Sequence, residues 1–441
     1  MVSAKLKDYQ LKYILTWKLL QLCNKHCSPD NTKDHKYITY RNLKSLDHAK
    51  FLKTLEEIPW DTAFLFDEVD DIVNAWYCLF NEAINANVPL KQKRVRGYTK
   101  PKWLSPEILR LMKLRDRLLK RAKRSNSQDD WLALKRAKNK VTEAIRTAKK
   151  NFFYESFREN RGDSKKIWSA LKDLTGQKNH GGVSYLEENR SIQIRDETAM
   201  AEVFNEHFTG LAERLADKTV GQFDPTILKA FVDERKVSDS KLAFPLITPS
   251  QTHQLIKAIP SGKAMGLDGV STRLLKIAAP AIAPSLAKLI NMCITSGTFP
   301  AAWKEAKVTP LHKGNSKTDK NNYRPISVLP VLSKIFERHL HNSLYAFLND
   351  NDLLYQLQSA FRKHYSTETA LINIFNRMLF NLDDNRINSL VLADFQKAFD
   401  LVSHDILIEK LRIYGLDECS LGLIRSFLHN CRQRTVIRGS V

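Results

Sequence analysis

The chain has 441 residues, 43% of them hydrophobic, so two or three domains with ordinary cores fit within it. Six scattered cysteines fit reduced thiols in an intracellular protein. With no 18-residue apolar run and no secretory signal expected, they point away from secreted and membrane-spanning classes. A net charge of +22, from 70 Lys and Arg against 48 Asp and Glu, bears on partners rather than on fold.

Residues 1–35 open with Leu6, Tyr9, Leu11, Tyr13, Ile14, Trp17 and Leu20, a spacing that predicts a helix until Ser28-Pro-Asp-Asn-Thr32 breaks it. Cys23 and Cys27, with His26 between them, have no second ligand pair nearby, so no zinc site is expected. His35 to Asn42 alternates and is β-branched, as a strand would be. Helices are predicted over 49–55 and 69–86. The second carries Ile72, Ala75, Trp76, Leu79, Phe80 and Ala83 on one stripe for packing, and Pro89 closes it.

Residues 91–150 hold 21 Lys and Arg against five Asp and Glu, which places +16 of the +22 in 60 residues. A run of this kind is either a solvated helical face or a patch for a phosphate backbone, and its density favours the second. Ser105-Pro106 reads as N-cap and first helical residue of a helix to about Arg124. Ser125-Asn-Ser-Gln-Asp129 interrupts it, and a second helix from Asp130 to about Asn160 completes an antiparallel hairpin. Trp131, Leu134, Ala137, Val141, Ile145, Ala148 and Phe152 form its apolar stripe, and Lys135, Arg136, Lys138, Lys140, Arg146, Lys149 and Lys150 its charge. Further helices are predicted over 164–174, with Ile167, Trp168 and Leu171 buried and Gly176 as cap, over 197–215, and from Thr248 to Ala258. Residues 221–243 are polar and carry no clear pattern.

Ser261-Gly-Lys-Ala-Met-Gly-Leu-Asp-Gly269 has three glycines in nine residues without the spacing of a P-loop. It is a helix-entry loop or a phosphate contact, ahead of a helix over 271–278. Lys307 to Lys313 reads as a short strand, and polar residues 314–322 suit a hairpin tip before Arg324. Ser366 is placed to cap a helix through Leu379. Leu390-Val-Leu-Ala393 reads as a buried strand ending on Asp394. A buried carboxylate is costly unless partnered, and a metal ion is one good partner. A helix then starts near Ser403, and Arg432 to Arg438 reads as a strand.

Five stretches carry a resemblance. In order they are Ser261–Val270, Trp303–Lys313, Asn322–Pro330, Gln358–Thr367 and Asp394-Phe-Gln-Lys-Ala-Phe-Asp400 with Val402. Together they resemble the glycine-rich, fingers and first catalytic motifs of reverse transcriptases from non-LTR, LINE-type, jockey-like retrotransposons. The resemblance covers roughly 36–441, with its motifs in 258–441.

That resemblance implies a helix-rich α+β fold, with an N-terminal helical extension before the fingers and incomplete palm of a right-hand polymerase. It divides the chain into an unassigned N-terminal helix at 1–35 and a linker at 36–90 after a lost endonuclease domain. A basic helical extension at 91–245 for RNA and a partial reverse transcriptase domain at 246–441 follow. No DNA cleavage is expected.

The implied reaction is RNA-templated addition of deoxynucleoside triphosphates to a DNA primer. Asp394 is then a Mg2+ ligand, with a second oxygen from the backbone of Phe395 or Ala393. Lys313, or alternatively Lys307, and Arg324 meet the triphosphate, Phe399 crowds the sugar 2′ carbon, and Arg362 touches template. Lys135, Arg136, Lys138, Lys149 and Lys150 contact RNA. Ala360 stands where the family usually has glycine.

The second and third catalytic carboxylates, an aromatic-x-Asp-Asp pair after Pro-Gln-Gly, do not occur before Val441. The expectation is therefore a C-terminally shortened, inactive polymerase without stably bound Mg2+ and with no primer extension, its palm sheet left with an unpaired edge. A non-catalytic RNA- or DNA-binding protein is the alternative. Either would act in the nucleus or cytoplasm, without a membrane.

Overall fold

The computed structural model describes residues 37–94, 101, 103–175, 183–188, 192–216, 223–235, 241–395 and 397–437. The expectations for residues 1–35, including Cys23, His26 and Cys27, and for Gly176 and Arg438 lie outside them. The chain runs β1 (Tyr37–Arg41), α1 (His48–Glu56), α2 (Val69–Asn87), β2 (Leu90–Arg94), α3 (Pro106–Ser125), α4 (Gln128–Glu159), α5 (Ser164–Thr175), β3 (Leu186–Glu188) and β4 (Ile192–Ile194). It continues through α6 (Glu197–Ala216), α7 (Pro225–Arg235), α8 (Pro249–Ala258), α9 (Thr272–Ser296), β5 (Glu305–His312), β6 (Tyr323–Val328), α10 (Val331–Asp350), α11 (Thr367–Asp383), α12 (His404–Tyr414), α13 (Glu418–Leu428) and β7 (Arg432–Thr435). Helices predominate and the strands are short, as a helix-rich α+β chain requires.

Two compact units share these elements. One takes β1, β2 and α3–α5; the other takes residues 42–89 and everything from 177 onward. In the first, β1 and β2 form an antiparallel ribbon, with Tyr37 opposite Arg94 and Arg41 opposite Leu90. The α3–α4 hairpin starts where the sequence says: the Ser105 hydroxyl accepts from the Ile108 N–H, and Pro106 needs no donor in the first turn. Asn126 turns the chain in the left-handed region at φ 49°. Leu134, Val141 and Phe153 are buried along α4. Trp131, expected on that stripe, is instead 42% exposed, with its indole N–H on the Asn126 side chain at 3.3 Å. Trp168 is 64% exposed, which corrects its expected burial; the buried side of α5 runs through Ala170, with Ile167 and Leu171 half-buried.

The second unit is organised around α9. Its hydroxyl cap is Ser271, and it ends on Gly297 at φ 63°, the left-handed turn that favours glycine. The sequence reading stops this helix at Ala278, ahead of Pro280. The helix continues for another five turns, because Pro280 and Pro284 both lie on its exposed side while Leu275, Ala279, Ile282, Leu286, Leu289 and Ile290 are buried on the other. Burial of that face outweighs the missing N–H groups and ring clashes. α9 packs on α8, α1, α13 and α2. In that core the Trp76 indole N–H donates to the Ser285 hydroxyl at 3.0 Å, and Trp76 stacks on Trp60. By length and composition α9 could also cross a membrane, contrary to the expectation that no such stretch exists. Its burial inside this unit makes it a core helix.

A three-stranded sheet in the order β6-β5-β7 lies in the same unit, β5 antiparallel to β6 and parallel to β7. The even-numbered side of β5 is covered: Val308 is fully buried, and Tyr323 of β6 meets Phe204 of α6 edge-on at 4.9 Å. Asn205 of α6 accepts from Gln433 and Thr435 of β7. Met200, Phe204, Tyr323 and Ile437 form a shared cluster there.

Leu390 to Ala393 is not a buried strand. The stretch is irregular and exposed, Val391 at 86% and Leu392 at 84%. An extended segment becomes a strand only when a neighbour satisfies its backbone, and none of the described strands flanks this one. α11 beside it has no buried residue, although Ser366 caps it as predicted, with Thr369 reciprocating.

Candidate nucleotide and nucleic-acid interface

The β5–β6 hairpin fixes two of the expected cations. Leu311 lies opposite Arg324, and the Lys313 N–H donates to the Asn322 carbonyl at 2.8 Å. Side chains two residues apart on a strand share a face, so Lys313 and Arg324 are diagonal neighbours on one side of the hairpin. Both are exposed. The tip is held by its own polar residues: Asn322 donates to the Ser316 carbonyl at 3.0 Å, and the Tyr323 hydroxyl to the Lys317 carbonyl at 2.7 Å. The face they occupy is the odd-numbered one, opposite the side that α6 covers. Lys307 stands on this face as well.

The sequence reading missed what lies beside Lys307. In the parallel register Lys307 is the partner of Arg434, and Glu305 of Arg432. Alternation of Arg432 and Arg434 on a short strand was the available signal, but only the partner strand's identity shows which face they join.

Lys304, close in sequence, has a different task. It is buried, and its ammonium donates to the carbonyls of Ser426 at 2.8 Å and His429 at 3.1 Å, tying the start of β5 to the end of α13.

The glycine-rich loop makes its close approach to protein. A Cβ on Gly266 would stand 2.8 Å from the Pro330 nitrogen, so only glycine lets this loop reach the start of α10. Asp268 of the same loop accepts from the Tyr77 hydroxyl at 3.2 Å and from the Val270 N–H at 3.3 Å. Burial holds the Asp268 carboxyl above its ordinary range, against the pull of Val270, Tyr77 and Lys334. Burial first, and then the Asp268 charge, push the Tyr77 phenol up. Of the two readings of the loop, helix entry with a packing glycine has the direct contacts.

Arg362 donates to the Tyr355 carbonyl at 3.1 Å and lies 4.7 Å over the Tyr365 ring. It borders an open cleft of about 610 Å³ that also takes in His341, Tyr345, Lys363 and His364. The alanine at 360 costs no backbone strain of its own, because the left-handed residues of this turn are Phe361 and His364.

Asp394 lies in the exposed irregular stretch, with Phe395 at 81% exposure. Phe399 meets Phe361 edge-on at 6.0 Å. Lys397, left-handed at φ 52°, opens a turn closed by the Asp400 N–H on its carbonyl at 2.9 Å. Among the described residues, no hydrogen bond, ion pair or ring contact joins Asp394 to Lys313, Arg324 or Phe399. The register brings together Lys313 with Arg324, and a ring contact joins Phe399 with Phe361. No group of three or more His, Cys, Asp or Glu lies together among the described residues. One exposed carboxylate does not fit a two-ion site by itself.

In the basic unit, Lys135, Arg136, Lys138, Lys149 and Lys150 are all exposed on α4, and the Lys149 ammonium sits 4.9 Å over the Trp103 ring. α3 adds a row the sequence reading did not single out. Arg110, Lys113, Arg117, Lys120 and Arg124 recur at three- and four-residue steps. Arg117, Lys120, Arg121 and Arg124 line an open cleft of about 480 Å³.

Residues 312–440, which contain the hairpin tip, Arg324, Arg362, Asp394 and β7, match the family described as reverse transcriptase (RNA-dependent DNA polymerase). This part of the chain is similar to a reverse transcriptase domain. Beyond it, the chain is 26% identical over 368 residues to the RNA-directed DNA polymerase from mobile element jockey of Drosophila melanogaster, covering 82% of this chain and 39% of that protein. It is 27% identical over 353 residues to the "probable RNA-directed DNA polymerase from transposon BS" of the same organism, covering 76% and 37%. The chain is thus similar to reverse transcriptases of the jockey-like, non-LTR retrotransposon kind. It spans less than two-fifths of the length of these relatives.

Proposed function

We propose that this chain supplies the fingers and the first part of the palm of an RNA-directed DNA polymerase acting in the nucleus or cytoplasm. The observation that carries this reading is the pairing of Lys313 and Arg324 on one open face of the β5–β6 hairpin, inside the segment that matches the reverse transcriptase family. Two preorganised cations on a rigid hairpin suit the triphosphate of an incoming deoxynucleotide, whose leaving pyrophosphate gains charge as the bond to the primer 3′-OH forms. Phe399 takes the position against the sugar, and Arg362 meets the template strand at the edge of its cleft. Asp394 is assigned as one carboxylate ligand of magnesium, beside the carbonyl of Phe395 or Ala393. Bound divalent ions would polarise the phosphoryl group.

The test is primer extension on an RNA template by the full natural protein that carries this chain. Lys313→Ala and Arg324→Ala should raise KM for deoxynucleoside triphosphates by about 10-fold or more, and Asp394→Asn should lower kcat by about 100-fold or more. Extension at the wild-type rate by the Asp394→Asn protein would overturn the assignment.

A second reading has its own observation. The α3–α5 unit is compact in itself and carries the densest cationic surface of the chain, so RNA binding there does not need polymerisation.

A further inference from the structure

The open face of the β6-β5-β7 sheet carries cations at both of its ends. Lys313 and Arg324 stand at the hairpin tip. Lys307, Arg432 and Arg434 stand at the β7 end, with Glu305 as the one acid in the register there, 3.9 Å from Arg434. Thr309, Leu311 and Ile326 lie between, Leu311 at 55% and Ile326 at 44% exposure. Lys307 directly beside Arg434 is an unfavourable pairing of like charges, and Glu305 offsets only part of it. Such a pairing on an open sheet face becomes favourable when an anion spans it.

The anion is not the same one that the hairpin tip holds. Four residues separate Leu311, the partner of Arg324, from Lys307, a distance of roughly 13 Å along β5. A single triphosphate seated on Lys313 and Arg324 leaves the second cluster unfilled, whereas a nucleic-acid strand running along the sheet reaches it.

We infer that Lys307, Arg432 and Arg434 hold the sugar–phosphate backbone of the RNA strand being copied, a few nucleotides from the nucleotide site, with Leu311 and Ile326 giving an apolar floor between the two. This inference rests on the polymerase reading. It also assigns Lys307 to the nucleic acid and leaves Lys313 as the lysine of the triphosphate.

The experiment uses the full natural chain, a labelled single-stranded RNA of 20 nucleotides, and inorganic triphosphate as a separate probe. Anisotropy titrations from 50 to 300 mM KCl compare the wild type with Lys307→Gln/Arg434→Gln, with Arg432→Gln, and with Lys313→Gln/Arg324→Gln. The Lys307/Arg434 pair should flatten the slope of log K against log salt by about 1.4, near 0.7 for each cation removed, and Arg432→Gln by about 0.7. Arg434→Lys should keep most of the affinity, and calorimetry should show triphosphate binding weakened chiefly by the Lys313/Arg324 pair. Thermal unfolding should show that the Lys307/Arg434 variant keeps its fold, since it loses a repulsion. Wild-type RNA binding with an unchanged slope in the Lys307/Arg434 variant would overturn the inference and leave the polymerase reading standing. Triphosphate binding abolished in that variant, with the RNA slope unchanged, would return Lys307 to the nucleotide site and also overturn it. A wild-type protein that binds no RNA would overturn both.

Discussion

At the scale of single residues, Asp268 shows how the glycine-rich motif is used. Its carboxylate is enclosed between Tyr77 of α2 and the backbone of its own loop, and burial raises its pKa. The folded value lies above the unfolded one of about 3.9. Its contribution to stability is therefore full below the unfolded value and is lost as the pH rises through the folded one. Urea unfolding of the wild type and of Asp268→Asn between pH 3 and 7 should show the wild type losing ground to the variant as the pH rises. A difference that stays constant across that range would refute the buried-carboxylate account. The motif was visible in the sequence as a loop with three glycines, but not which glycine touches what. The approach of Gly266 to Pro330 joins residues 64 apart, and no local pattern encodes it.

Among the elements, the capped helices were the most legible. Ser105 with Pro106, Thr248 with Pro249, Ser366 and Ser403 each start a helix where the side-chain chemistry says one should start. The hairpin between Lys307 and Arg324 was legible from its apolar strand and polar tip.

Two elements were read wrongly, each because neighbours decide. α9 passes through two prolines because its inner face is the centre of a core. Leu390 to Ala393 has the composition of a buried strand and stays exposed, because its hydrogen-bonding edges find no described partner. The proline account makes a prediction. Pro284 is exposed and interior to α9, so Pro284→Ala restores an N–H donor to the helix without touching the core. It should raise stability by up to about 3 kcal/mol, read as a higher urea midpoint with an unchanged m-value. A lower midpoint would mean that the prolines set a bend which the packing needs.

For the whole molecule, charge is distributed by unit. Most of the +22 lies between residues 91 and 150, in the unit that contains α3 and α4. Polyanion binding there should be steeply dependent on salt. Replacing Arg110, Lys113, Arg117, Lys120 and Arg124 together by glutamine should flatten the RNA salt slope by about 3.5, near 0.7 for each phosphate no longer neutralised. The same change should leave triphosphate affinity at the β5–β6 hairpin as it was. A slope insensitive to all five would return α3 to the status of a solvated face. Composition made the basic segment visible as a candidate, and the capped helix expected from Ser105 to about Arg124 already fixes the alignment of its cations on α3.

The path of the chain between the units has a consequence for how the protein comes apart. The backbone leaves the first unit after Arg41, returns at Leu90, and leaves again after residue 176. Between the first two crossings it contributes α1 and α2 to the core around α9. A protease that cuts once between residues 175 and 183 therefore produces two polypeptides but not two particles. The amino-terminal piece carries α1 and α2 with it and stays anchored through them, so a singly nicked sample should migrate as two bands in detergent and as one species without it.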